Sequence, residues 1–210
     1  METNDLFAIL GTIIIIVVMV NISVTYMKIA DFKKESTGNY LTYVNLSINN
    51  YVGLDMIRGD LDWGPGSIAS GSVNATLYTS GDNQGIVNRG NWSGTTAKAF
   101  IVRNVGNINS TLYIQAGKNA HDLFNSATGS NEEYMLNVTN KKANSCSGGA
   151  VLGVWTNVNK TGMGTKYCSE FSSLSGSNEL YIDVLLTVPL DSNNIGNLSD
   201  TLTLTATASG

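Results

Sequence analysis

Residues able to do chemistry are sparse in this chain, and their spacing argues against catalysis. The single histidine, His121, is followed by Asp122, and neighbouring positions on an irregular segment do not make a nucleophile, base and orienting group. Asp60 and Asp62 flank Leu61 without continuing into a calcium loop, and no zinc spacing, Walker loop or Gly-x-Gly-x-x-Gly motif occurs. Cys146 and Cys168 sit in a Gly/Ser/Asn-rich region and lack a Cys-x-x-Cys spacing. One disulfide is the simplest reading, with two reduced thiols as the alternative; closing a loop of about 20 residues contributes roughly 3 kcal/mol in the chain-entropy picture. Trp63, Trp92 and Trp155 suit core or interface packing, or else a sugar-binding platform. The expectation is a protein that is not an enzyme and holds no cofactor and no metal.

The elements that carry these residues follow from composition. The 210 residues allow one ordinary domain plus an appendage. Only 13% are charged, about half the usual share, while Ser, Thr, Asn and Gly are abundant. A polar but weakly charged surface suits an outward-facing or glycan-covered protein. The net charge of −4 removes the attraction that drives binding to nucleic acid, so no nucleic acid partner is expected.

From Leu6 to Val20 the chain reads LFAILGTIIIIVVMV, and no charge appears between Asp5 and Lys28. That uncharged run is long enough to span a bilayer. Its flanks are inverted for a signal anchor: Glu2 and Asp5 precede it, and Lys28, Lys33 and Lys34 follow it, which would hold the C-terminal portion in the cytoplasm. The cysteines and glycosylation sequons place that portion outside. The conflict disappears if a short basic leader is removed just before Met1, leaving the apolar segment attached, as with class III signal peptides. The alternative is that Met1 is an initiator and the topology is unusual.

The absence of proline between Asn4 and Gly59 and the spacing of Tyr26, Ile29, Tyr40, Val44, Ile48, Tyr51 and Met56 predict one helix of about 50 residues, about 75 Å long. Ser36-Thr37-Gly38-Asn39 is its weak point, centred on Gly38. Such a helix must be buried by lipid or by copies of itself, and head-to-tail contacts that do not close give a helical filament. The expected assembly residues are Asp5, Leu6, Phe7, Ile9, Leu10, Ile13, Ile14, Ile16, Val17 and Val20. Asp5 either pairs with the α-amino group of a neighbouring subunit or caps the helix.

At Gly64-Pro65-Gly66 the texture changes. The expected division is residues 1–59 as hydrophobic helix, 60–70 as neck and 71–210 as head. Strands are predicted over Val73–Thr79, Ala97–Val105, Thr111–Ala116, Tyr134–Thr139, Val151–Val158, Glu179–Pro189 and Thr201–Ala208. Period-two alternation is clearest in Leu180, Ile182, Val184, Leu186 and Val188 and in Leu202, Leu204 and Ala206. The predicted class is therefore α+β, one long N-terminal hydrophobic helix followed by an all-β immunoglobulin-like sandwich head. Of eight Asn-x-Ser/Thr sequons, those at Asn21 and Asn45 fall in the expected helix. The candidates for N-linked glycans are Asn74, Asn91, Asn109, Asn137, Asn159 and Asn197.

Met1-Glu2-Thr3-Asn4-Asp5 leading into LFAILGTIIIIVVMV, with a β-rich head ending in DTLTLTATASG, resembles the archaeal type IV filament superfamily of pilins and archaellins. GTIIIIVVMV looks like the glycine-led aliphatic segment of archaellins. The resemblance implies a leader removed by a prepilin-type peptidase, storage in the lipid bilayer, export by a membrane assembly machinery, and an extracellular homopolymer with glycosylated heads outside. The early polar run from Asn21 points to an adhesive pilus; an archaellin subunit of a swimming filament is the alternative. A membrane-anchored surface binding module is the alternative of another class.

Overall fold

The computed structural model describes Gly11 and residues 13–25, 49–93 and 96–209. The chain divides into two units, Met1–Ile48 and Asn49–Gly210. The fold differs from the expected α+β class: the described residues are mostly β, and no long hydrophobic helix is seen among them. In the first unit the described helix, α1, covers residues 13–25. No helix among the described residues is long and apolar enough to cross a membrane. The expected helix also fails at its far end, where Leu54–Arg58 forms strand β1. Tyr51 and Met56 belong to the predicted helical spacing, but Met56 is set opposite Val102 in a ladder, and inter-strand pairing overrides the local pattern. Gly38 lies outside the described residues.

The second unit holds eleven strands among the described residues: β1, β2 (Asn74–Ser80), β3 (Asn83–Asn88), β4 (Phe100–Asn104), β5 (Ser110–Ala116), β6 (Glu133–Asn140), β7 (Cys146–Ser147), β8 (Thr156–Asn157), β9 (Thr165–Phe171), β10 (Glu179–Pro189) and β11 (Leu202–Ala208), with the short helix α2 (Ala120–Phe124) between β5 and β6. They form two antiparallel sheets, one of seven strands and one ordered β11-β5-β9-β7. β10 organises the larger sheet. One of its edges pairs with β6 from Leu180 to Thr187. The other pairs with β4 through Glu179–Ile182 and with β2 through Leu185–Pro189.

The core is sandwiched between the sheets. Val102, Leu136, Val138, Leu180, Ile182 and Val184 from one face meet Leu112, Ile114, Tyr167, Cys168 and Phe171 from the other. The period-two reading of β10 holds, since Leu180, Ile182 and Val184 are buried and Leu186 and Val188 pack against the same cluster. Asn104 ties the layers: its Nδ2 donates to the Phe171 carbonyl across the core at 2.9 Å, and its Oδ1 accepts from the Gly106 amide at 2.9 Å. The smaller sheet is closed at one end by the Cys146–Cys168 disulfide, which links β7 to β9 with Cα atoms 5.8 Å apart. Trp63 and Trp92 belong to a second apolar cluster with Ala75, Leu77 and Ala97, so two of the three indoles pack as the composition suggests.

Candidate functional site

The residues with the strongest claim to a function are those of α1. Its sequence IIIIVVMVNISVT has no charge and no helix breaker, and leucine-like apolarity continues around the whole helix instead of along a stripe. Every apolar side chain in it is open: Ile13 to Val20, Ile22 and Val24 are each between 48% and 63% exposed. Contiguous apolar surface of this kind marks a contact with lipid or with another protein surface.

Its polar residues are arranged for apolar surroundings. Asn21 Nδ2 donates to the Val17 carbonyl at 2.9 Å, Ser23 Oγ to the Met19 carbonyl at 2.9 Å, and Thr25 Oγ1 to the Asn21 carbonyl at 2.8 Å. Each donor turns back onto the helix four residues earlier, a habit that costs little in water and removes an unmet donor where water is absent.

Ile13, Ile14, Ile16, Val17 and Val20, expected as assembly residues, all lie in α1 and are all exposed. Ile15, Val18, Met19, Ile22 and Val24 share that exposure and belong with them; the unbroken apolar run was the signal. Asp5, Leu6, Phe7, Ile9 and Leu10 lie outside the described residues.

The six sequon asparagines of the second unit differ in access. Asn91, Asn109 and Asn197 are exposed, Asn137 and Asn159 are half-buried, and Asn74 is buried at the start of β2. The side-chain oxygens of Asn74 and Asn137 are enclosed without a partner. A glycan needs its amide nitrogen open to water, so exposure favours Asn91, Asn109 and Asn197.

Glu179 and the charged groups around it are structural. Glu179 is buried at the head of β10 and receives Arg103 Nη2 at 2.8 Å, Lys141 Nζ at 3.0 Å and Lys142 Nζ at 2.8 Å. Hydrogen bonding from Lys142, then from Lys141 and Arg103, outweighs desolvation and holds its carboxyl down at about 2. The four residues come from three separate stretches of sequence, and no local pattern announces them. His121 lies in α2 with Nδ1 3.0 Å from Glu132 Oε1, while Asp122 closes a capping box with Asn119. Among the described residues no group of three His, Cys, Asp or Glu side chains is placed to hold a metal. No family model matches the chain, and no curated protein or solved structure matches it either.

Proposed function

We propose that this protein is the structural, non-catalytic subunit of an extracellular helical filament of the archaeal type IV kind, serving adhesion, in which the apolar N-terminal segment is the assembly element. The observation that carries this reading is α1: ten apolar side chains, all about half exposed on every side of an uncharged helix. Covering them removes apolar surface from water at roughly 25 cal/mol per Å², and copies of the same helix can do so repeatedly because the apolar surface runs all round. A single partner docked on one face would leave the opposite face wet.

The rest of the reading follows from that core. The lipid bilayer holds the segment before assembly, a prepilin-type peptidase removes a leader, and a membrane assembly machinery draws the subunit into the polymer. The disulfide and the polar, weakly charged head suit an extracellular location, with N-linked glycans on the exposed sequons. The resemblance of Met1–Asp5 and the following LFAILGTIIIIVVMV to pilins and archaellins supports the same assignment.

The test is electron microscopy of material sheared from the producing cells, with N-terminal sequencing of this protein. Thin helical filaments whose subunit begins at Met1 after a lost leader support the reading. Monomers confined to the membrane fraction would overturn it and leave an anchored surface binding module as the better account.

A further inference from the structure

The sandwich is not filled to its end. A cavity of about 460 Å³ lies where β10 (Ile182, Val184, Leu186) faces β11 (Leu202, Leu204), within the range of small-molecule sites. Met56 and Leu198 also line it and are each 40% exposed, which gives a solute a way in.

Two features set its chemistry. Three aromatic rings line it, Trp63, Phe100 and Tyr134, and its only ionisable side chains that carry charge at neutral pH are two carboxylates, Asp62 and Asp200, with no Lys, Arg or His among the lining residues. Asp62 is partly engaged, its Oδ1 accepting from the Gly64 amide at 2.8 Å. Asp200 keeps one oxygen unmet: its Oδ2 is enclosed with no hydrogen-bond partner, and the indole Nε1 of Trp63, itself buried, has none either. An enclosed carboxylate oxygen without a partner is costly. Asp200 also engages the Tyr134 hydroxyl, whose ionisation is pushed up by burial first and then by the Asp200 charge and hydrogen bond.

We propose that this cavity binds a small organic ammonium ion, a free solute with a trimethylammonium-type head. Its positive charge sits beside Asp200 and its methyl groups against the Trp63, Phe100 and Tyr134 rings. A carboxylate combined with aromatic faces is the pairing that recognises quaternary ammonium groups, and aliphatic β10 and β11 side chains suit the apolar remainder. An anion would meet two carboxylates and no cation. A neutral apolar molecule would leave the Asp200 charge uncompensated. The proposal is independent of filament formation, because every residue in it belongs to Asn49–Gly210.

The experiment uses the full chain, ¹⁵N-labelled and held in uncharged maltoside micelles, titrated with choline and separately with its neutral isostere 3,3-dimethylbutan-1-ol. The readouts are the Trp63 indole Nε1–H resonance and the Ile182 and Val184 amides. Choline is expected to shift all three saturably and to bind about tenfold more tightly than the isostere, the gain that one desolvated cation–aromatic contact with a charge partner supplies. Asp200→Asn should weaken choline several-fold, narrowing the gap between the probes, and leave the isostere unchanged. Equal affinity for the two probes, or no saturable shift with choline, would overturn the proposal. Should Asp200→Asn fail to fold, the comparison of probes on the unaltered chain decides alone.

Discussion

Replacing Glu179 by glutamine tests whether one buried carboxylate holds three strands together. The side chain is 4% exposed and gathers Arg103 from β4 and Lys141 and Lys142 from the turn after β6, while Arg103, Lys141 and Lys142 are themselves 39%, 26% and 32% exposed. Glu179→Gln keeps the shape and removes the charge. Its carboxyl is lowered from 4.5 to about 2, which unscreened would correspond to about 3 kcal/mol at 1.36 kcal/mol per unit. The three cations reach solvent and are screened, so the expected loss at pH 7 is about 1–2 kcal/mol. The sign follows from linkage: the carboxyl is harder to protonate in the folded state, so its contribution is full above about 4.5 and fades as pH falls toward about 2. Urea unfolding of the full chain in maltoside micelles, followed by tryptophan emission, isolates the effect, because Trp63, Trp92 and Trp155 all lie in Asn49–Gly210. The variant should be weaker at pH 7 and indistinguishable from the parent near pH 2. An equal deficit at both pH values would refute the electrostatic account and point to packing instead.

Other perturbations read other links. Ile16→Asp should abolish filaments by placing a carboxylate on the apolar helix, leaving the circular dichroism of the β unit unchanged; filaments of normal yield would sink the assembly role. Reducing Cys146–Cys168, which closes a 22-residue separation, should lower stability by about 3 kcal/mol, read as a fall in melting temperature with reductant. Gly164 has φ +82°, and a Cβ there would meet the Ile114 carbonyl oxygen. Gly164→Ala should therefore cost more than about 1 kcal/mol, measured by urea midpoint, because the obstacle is backbone. Burial pushes the Tyr167 phenol up to about 12, and burial with the Asp82 hydrogen bond does the same for Tyr181. Since the ionised form is disfavoured in the fold, that stability is full below about 10 and is lost as pH rises toward about 12. Ultraviolet titration should show these two phenols ionising well after the exposed ones.

The alternation in Glu179–Pro189 and Thr201–Ala208 was legible because an edge or central strand with one face in a core repeats with period two, and both segments are strands with those bounds or within one residue of them. Val151–Val158 reads equally well as a strand, yet only Thr156–Asn157 forms one, with Leu152 in an isolated bridge to Val138, because the chain turns through Gly153 instead of continuing a ladder. β9, with Lys166, Ser169 and Glu170 interrupting its apolar residues, carries little periodic signal. β3 is equally quiet, with Gly85 and three polar positions. Both are strands because their partners, β5 and β2, offer unpaired edges.

The sequence by itself determined what depends on composition and nearest neighbours: an uncharged apolar segment, a β-rich remainder, and two cysteines able to pair. The tertiary structure alone decided what depends on residues far apart in the chain. It turned Leu54–Arg58 from a helical spacing into a strand beside β4, gathered Arg103, Lys141 and Lys142 around Glu179, and set Asp200 and Trp63 into one cavity. Side-chain periodicity reports which face is buried, but the identity of the partner across a sheet or a cavity is fixed by long-range pairing, and no window along the chain contains it.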